Sequence, residues 1–445
     1  MEDPVTARRV VILGAAGRDF HVFNTVYRDN PGYNVRAFTA TQIPAIADRR
    51  YPTELAGDRY PDGIAIVTED DLERVIVDER IHEVAFAYSD VTHDLVMHVA
   101  SRALAAGPDF VLHGPASTQL SSQRPVISIT AVRTGCGKSQ IARWLSDHLR
   151  RKGVSAAIIR HPMAYGNLGG QPVRRFGSMA DIDAAHCTAE EREEYEPHIS
   201  AGNAVFAGVD YAAVLGAAEA EADVVIWDGG NNDFSFIKPD LSIVVVDALR
   251  PDHLDTHHPG EMVLRSADVV VVNKVDTATS EQTATAIAGV RRLAPGATIT
   301  RAASPITLSR PEMVRNKRVL VVEDGPTTTH GGMTSGAGLI AALAAGAGSI
   351  VDPRRSAAPL IEDVYAAYPH LGPVLPAVGY FPDQIAALAA TVNSSDAEVV
   401  VAGTPIDLAS LLEVDIPVIR ARYDFDEVGE PTLRAIVDDF VGLYS

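Results

Sequence analysis

The 445-residue chain carries a formal net charge of −20 and is 47% hydrophobic, enough to bury two or three cores. Its acidity argues against nucleic-acid partners, no apolar run is long enough to span a bilayer, and Met1-Glu-Asp-Pro4 lacks the positive charge of a signal peptide. Cys136 and Cys187 alone supply neither a disulfide framework nor a four-cysteine metal site, so the expected setting is the cytoplasm.

Short β-branched runs alternate with amphipathic stretches, the pattern of parallel sheets covered by helices. Arg9–Leu13 predicts a first strand that ends in the turn Gly14-Ala-Ala-Gly17, followed by a helix near Phe20–Asp29. Strands at Val35–Thr39, Val84–Tyr88 and Phe110–Leu112 and a helix near Leu95–Ala106 complete a Rossmann-like doubly wound domain over 1–122, with Gln119–Pro125 as the linker. A P-loop NTPase-like α/β domain is expected over 123–350. It opens with the strand Val126–Thr130 and a helix from Lys138 to about Arg151, and continues with strands at Ala156–Arg160, Asp223–Trp227, Leu241–Val246, Val269–Val272 and Arg318–Val322. The polar stretch between Arg160 and Phe206 predicts a long functional loop. A C-terminal α/β segment over 351–445 contains a strand at Glu398–Ala402.

The strongest chemical signal is Ile127-Ser-Ile-Thr-Ala-Val-Arg-Thr-Gly-Cys-Gly-Lys-Ser139. Glycines let backbone N–H groups converge on phosphate oxygens, and a helix N-terminus adds positive potential. Thr134, Gly135, Cys136, Gly137, Lys138, Ser139 and Gln140 are thus the candidate nucleotide contacts. Lys138 would reach the β- and γ-phosphates and Ser139 would hold Mg²⁺. Val132 stands where G-x-x-x-x-G-K-S has its first glycine. The strand Ala222-Asp-Val-Val-Ile-Trp-Asp228 ends on the carboxylate expected to support the metal or orient water, so Lys138 and Asp228 are the candidate catalytic pair. Asn273-Lys-Val-Asp276 looks like the base-reading tetrapeptide of P-loop GTPases, with Asn273 and Asp276 facing the base. His253, His257 and His258 could place two imidazoles on one helical face at metal-pair spacing, but no third ligand is evident, and capping or phosphate contacts are the commoner role for them.

Together, Arg9-Val-Val-Ile-Leu-Gly-Ala-Ala-Gly-Arg-Asp-Phe-His21, Phe38-Thr-Ala-Thr-Gln-Ile-Pro44, Thr134-Gly-Cys-Gly-Lys-Ser-Gln140, Ile159-Arg-His-Pro-Met163, Trp227-Asp-Gly-Gly-Asn-Asn-Asp233, Val322-Glu-Asp-Gly-Pro-Thr-Thr-Thr-His-Gly-Gly332 and Gly403-Thr-Pro-Ile-Asp-Leu408 resemble the cyclic 2,3-diphosphoglycerate synthetase family. The resemblance implies an ATP-dependent ligase that closes 2,3-bisphosphoglycerate to its cyclic pyrophosphate, releasing ADP and phosphate. It also implies Mg²⁺, potassium dependence and a cytoplasmic homodimer. A polyanionic substrate in so acidic a protein calls for local cations. Arg18, His21, His161, Arg174 and Arg175 are the candidates, the last two in a loop closing over the substrate between His161 and Asp183. The competing expectation is a regulatory or metallochaperone P-loop GTPase.

Overall fold

The structure is a computed structural model and describes residues 7–15, 17–40, 49–161, 173–230, 233–329, 331–378, 382–404 and 408–444. Parts of the Arg9–His21, Phe38–Pro44, Ile159–Met163, Trp227–Asp233, Val322–Gly332 and Gly403–Leu408 segments, and residues 162–172 of the expected substrate loop, lie outside these residues.

Among the described residues, three large sheets organise the chain. In the first, of six strands, Arg8–Leu13 lies between Tyr33–Ala40 and Glu83–Phe86, parallel to both. Alternation along Arg8–Leu13 sends Val10 and Ile12 to one core with Phe20 and Phe23, and Val11 and Leu13 to another with Val96 and Val99. A sheet with apolar residues on both faces needs cover on both, which is the doubly wound arrangement.

The second sheet has nine strands. From one edge they are Arg174–Phe176, Ala204–Ala207, Ala156–Arg160, Val224–Asp228, Val126–Ala131, Leu241–Asp247, Val269–Asn273, Thr298–Ala303 and Asp426–Glu427. Only the two edge strands run antiparallel to their neighbours. Val126–Ala131 is buried along its whole length at the middle of this order, so the loop that follows it opens at the centre of the sheet's carboxyl edge.

The third sheet joins Ile306–Leu308, Val418–Tyr423, Val399–Gly403, Arg318–Asp324 and Ser349–Ile350, with Leu375–Ala377 beside Arg318–Asp324. This corrects the expected boundary at 350. Arg318–Asp324 pairs with Val399–Gly403, so the nucleotide-binding sheet gives way to the third sheet between Ala303 and Ile306. The helix Leu433–Gly442 then returns to the second sheet's core through Leu433, Val437 and Phe440. The stretch expected as one long loop is also corrected. From Arg174 onward it forms a strand and the helices Met179–Ala184 and Ala189–Ser200, both opened by capping boxes, Ser178 with Asp181 and Thr188 with Glu191.

The first and second sheets are stitched together along the chain. Val91–Thr92 pairs with His257–His258, and Leu120 exchanges backbone hydrogen bonds with Phe236 and Lys238. The supposed linker is therefore anchored to the second sheet.

Candidate functional site

The phosphate loop is shaped from behind. Arg250 Nη2 donates to the carbonyl of Thr134 at 2.8 Å, Lys274 Nζ to that of Gly135 at 2.6 Å, and Asn273 Nδ2 to that of Cys136 at 2.9 Å. In a trans peptide the C=O and the next N–H point in opposite directions. Three carbonyls tied back in succession therefore turn the N–H groups of Gly135, Cys136 and Gly137 to the opposite side. Gly137 has φ +100°, and a Cβ there would lie 2.3 Å from Asn273 Nδ2, so glycine is required by both conformation and space. Val132 continues the strand by donating to the Val245 carbonyl, and Gly260 makes room across from it, where a Cβ would lie 2.2 Å from the Val132 carbonyl oxygen. The missing first glycine of the motif is thus compensated by a glycine on another segment.

Lys138 opens the helix Lys138–Arg151, and its Nζ lies 3.0 Å from Asp228 Oδ1. Asp228 is fully buried and also meets Arg160 Nη1 at 2.6 Å and His198 Nε2 at 2.9 Å, while Arg160 pairs with Glu194. Burial opposes ionisation of Asp228, but Arg160, Lys138 and His198 outweigh it and hold the carboxyl well below the usual carboxylate range. Burial lowers Lys138 against the pull of Asp228, and takes His198 down to about 4, so this imidazole is neutral. Asn203 Nδ2 lies 3.3 Å from His198 Nδ1, which orients Nε2–H toward the carboxylate. Arg143, on the lysine's own helix, adds positive charge near Asp228.

The remaining candidates divide. Asn273 is fully buried behind the loop, so it supports the loop rather than facing a base. Asp276 is exposed and accepts from the Ser304 N–H at 3.0 Å, and the Ser304 hydroxyl in turn receives Gln140 Nε2 at 2.9 Å. Cys136 is buried, which raises its thiol pKa and leaves it an inert filler. Ser139 stands half-buried beside Lys138 at the start of the helix. It can offer a hydroxyl and Asp228 a carboxylate, which suits Mg²⁺, an ion that takes few protein ligands and completes its shell with phosphate and water.

The residues expected to hold a polyanion are not a cluster of available cations. Arg18, His21 and His161 are buried in the seam between the first two sheets. Arg18 pairs with Asp233 at 3.1 Å; His21 stacks on Phe236 with ring centroids 4.3 Å apart, its Nε2 2.7 Å from the Thr118 carbonyl. Burial takes His21 down to about 4. Arg174 pairs with Glu191 at 2.6 Å and Arg175 with Glu221 at 2.7 Å. Their edge strand is four strand positions from Val126–Ala131, roughly 19 Å at ordinary strand spacing. The expectation that Arg174 and Arg175 reach the phosphates is corrected by that distance. The histidines at 253–258 are corrected too. They sit on a 3₁₀ turn and a short strand, not one helix, and Arg133 Nη1 lies 3.0 Å from His253 Nδ1 and 3.5 Å from His257 Nδ1. No group of three metal-binding side chains occurs among the described residues.

Sequence reasoning missed Arg160, His198, Arg250 and Asp90. Asp90, from the first sheet's side, grips the shoulder of the phosphate loop. It accepts from Arg133 Nε at 2.7 Å, from the Thr134 hydroxyl at 2.6 Å and from the Thr134 N–H at 3.3 Å. The Thr188-Glu191 capping box was the one available signal for the helix that carries His198.

Residues 214–301 match the family described as CobW/HypB/UreG, nucleotide-binding domain, a window that contains Asp228, Asn273 and Asp276. Among solved structures, LpxK from Aquifex aeolicus in complex with ATP aligns with TM-score 0.43 and 14% identity, covering 83% of this chain and 99% of its own. The hydrogenase maturation factor HypB from Archaeoglobus fulgidus aligns with TM-score 0.26 and 15% identity over 40% of this chain and 80% of its own. No helix among the described residues is long and apolar enough to cross a membrane. Over 433 residues the chain is 53% identical to the arginine synthetase ArcE of Thermococcus kodakarensis, covering 97% of each. This nucleotide-binding P-loop protein therefore belongs to the family of the arginine synthetase ArcE.

Proposed function

We propose that the protein is an ATP-dependent synthetase that forms arginine from a ureido amino acid and ammonia. The observation that carries this reading is the near end-to-end likeness to an enzyme named for that product, in a chain whose Lys138 and Asp228 meet at a formed phosphate loop. A ureido carbon is a poor electrophile because both nitrogens donate into its carbonyl, and its oxygen is a poor leaving group. Transfer of the γ-phosphoryl group to that oxygen forms a P–O bond and releases ADP. Ammonia then forms the C–N bond, and the C–O bond breaks with its electron pair leaving on phosphate. Such chemistry depends on positioning and charge stabilisation more than on a protein nucleophile.

The N–H groups of the loop and Lys138 would hold the phosphates, with Lys138 moving from Asp228 to the nucleotide. Mg²⁺, held by Ser139 and Asp228, would neutralise phosphate charge; potassium is a further candidate. Neutralised cations favour a substrate of low net charge, since Arg18, Arg174 and Arg175 each have a carboxylate partner.

The second reading is closure of 2,3-bisphosphoglycerate to its cyclic diphosphate. The segments that resemble the cyclic 2,3-diphosphoglycerate synthetase family favour it, Arg9–His21 and Thr134–Gln140 above all. A regulatory or metallochaperone GTPase is favoured only by the 214–301 match. A cytoplasmic homodimer without nucleic-acid or membrane partners accompanies either synthetase reading, and light scattering tests the dimer. One assay separates the three. ADP release that requires both a ureido amino acid and ammonium supports arginine formation. Release that requires 2,3-bisphosphoglycerate supports cyclisation, and GTP hydrolysis indifferent to both supports the GTPase.

A further inference from the structure

Where the first turn of the N-terminal sheet meets the nucleotide-binding sheet, buried charges are unevenly matched. Arg18 and Asp233 are 3% and 1% exposed and share one bond, from Arg18 Nη1 to Asp233 Oδ1. The guanidinium also reaches the His113 carbonyl at 3.2 Å and the His258 Nε2 at 3.4 Å, and lies over Phe234, 4.3 Å from the ring centroid. Asp19, equally buried, accepts at Oδ1 from the N–H groups of Gly17 and Phe20. His21 and His258 are neutral, held by burial and by Arg18 at about 4 and about 3. Two carboxylates thus lie close enough to one guanidinium to act on its charge. Asp233 Oδ2 is buried and takes no hydrogen bond of ordinary geometry, the Ser89 hydroxyl being the one other donor that bears on this carboxyl, and such an acceptor state is costly enough to be rare in folded proteins.

The position of this oxygen matters as much as its charge. Asp233 follows the strand Val224–Asp228, whose last residue holds Lys138 and whose direct neighbour is the phosphate-loop strand. Ligands of open parallel sheets gather beyond such strand ends. The seam is tight. A Cβ on Gly17 would lie 2.0 Å from His161 Cε1, and one on Gly230 would lie 3.1 Å from His161 Cβ. Close packing, an unpaired carboxylate oxygen and a polyanion-repelling second carboxylate select a small cationic donor. Burial pushes the Asp233 carboxyl up to about 7, with Arg18 lowering it and Asp19 raising it, which brings it closer to the basicity needed to take a proton from an amine.

We propose that Asp233 is the site that takes the nitrogen nucleophile, binding it as an ammonium ion through Oδ2 and removing one proton. Arg18 and Asp19 act as positioning residues. The assignment rests on the arginine-forming reading. In the step, an ammonium N–H bond breaks, its proton passes to the Asp233 carboxylate, and the electron pair stays on nitrogen. The resulting ammonia forms the C–N bond to the phosphorylated ureido carbon, and phosphate departs with the electrons of the C–O bond.

Two measurements on the full chain test this. In wild type, ammonium chloride should raise Tm beyond an equal concentration of sodium or potassium chloride, and Asp233→Asn should remove that increment. In turnover, Asp233→Asn should raise the KM for ammonium at least tenfold. Exchange of the βγ-bridge oxygen of ATP in the presence of the ureido substrate, which reports phosphoryl transfer without amination, should stay within threefold of wild type. Asp233→Glu, which keeps the charge but moves it by a methylene, carries the same comparisons if the asparagine variant does not fold. An unchanged ammonium KM, an increment that survives the substitution, or a defect that follows potassium concentration would overturn the assignment. An intact wild-type ammonium increment without any ureido-dependent turnover would instead sink the arginine-forming reading and leave the ammonium site standing.

Discussion

Asp228 and Asp233 both lie at the carboxyl end of the nucleotide-binding sheet, both are almost completely buried, and both touch a cation. Their ionisation nevertheless moves in opposite directions. Asp228 faces Arg160, Lys138 and His198, and stays ionised well below the ordinary carboxylate range. Asp233 has Arg18 and the Ser89 hydroxyl against burial and the neighbouring Asp19, and rises to about 7. Burial is common to both, so the number and sign of the neighbours decide which carboxylate is a fixed counter-ion and which is able to exchange a proton. One edge of the sheet thus carries a carboxylate held ionised by its cations and, a few residues on, a carboxylate whose ionisation is opposed.

Removing the lysine cation beside Asp228 should produce the largest loss. Lys138→Ala takes away the charge nearest the expected phosphoryl group, and contacts of this kind contribute about 3 kcal/mol or more to barrier lowering. Turnover should fall at least about 100-fold in steady-state assays, with far-ultraviolet circular dichroism unchanged. Near-normal turnover in a folded variant would remove the phosphate loop from the mechanism.

Asp228→Asn should come next, and its main effect should be on stability. It leaves Lys138 and Arg160 close together and buried without their shared carboxylate, and breaking a buried pair in this way costs about 3 kcal/mol. The sign with pH follows from a folded pKa below the unfolded one. The stabilisation by Asp228 is present above about pH 3.9 and is lost as pH falls through the lower folded value. Denaturant midpoints of wild type and variant should therefore be well separated at pH 7 and converge in acid. Parallel curves down to low pH would show that Asp228 is not held ionised.

Asp90→Asn tests whether the first sheet's side steadies the loop. The substitution preserves shape but weakens charge-assisted bonds to Arg133 and to both donors of Thr134, each ordinarily contributing about 1.5 kcal/mol or more. Nucleotide Kd measured by calorimetry should rise roughly fivefold to tenfold, part of the loss being recovered by the asparagine oxygen. An unchanged Kd would confine Asp90 to holding the two sheets together.

These contrasts explain which parts of the molecule were legible in the sequence. The helix Lys138–Arg151 and the strand Ala156–Arg160 were read with their ends in place, because a glycine loop, a basic last turn and short β-branched runs each act locally. Asp228 was legible as the polar end of an apolar strand. Its partners were not, since Arg160 and His198 meet it only after distant segments pack together. The helix Ala189–Ser200 was hidden by a run of charged residues without an apolar period and by Pro197 within it. Asn273 and Asp276 resembled base readers, whereas the bonds of Asn273 and Lys274 to the loop's carbonyls, and of Asp276 to the Ser304 N–H, depend on the third dimension. Arg18 was legible as a charge near a turn, but Asp233, the partner that neutralises it, lies far along the chain.

Arg175→Ala should have the smallest effect, and it is the sharpest check on reading charge from sequence alone. Two adjacent arginines in a polar stretch of an acidic protein suggested phosphate contacts. The structure instead places Arg174–Phe176 on the outer edge of the nine-stranded sheet, antiparallel to Ala204–Ala207. Arg175 there meets Glu221, and the two side chains are 48% and 42% exposed. In that setting water screens both charges, and ordering two long side chains offsets much of the attraction, so such pairs contribute less than about 1 kcal/mol. Arg174 differs, since it is more buried, pairs with Glu191 and lies over Phe176, and its removal would leave Glu191 without its cation. Arg175 is therefore the cleaner probe. Its alanine variant should change Tm by no more than a few degrees and the KM for nucleotide or acceptor by less than twofold. A tenfold rise in acceptor KM, with nucleotide affinity and Tm unchanged, would bring this edge strand into the substrate's path and revive the expectation that its guanidinium holds an anion.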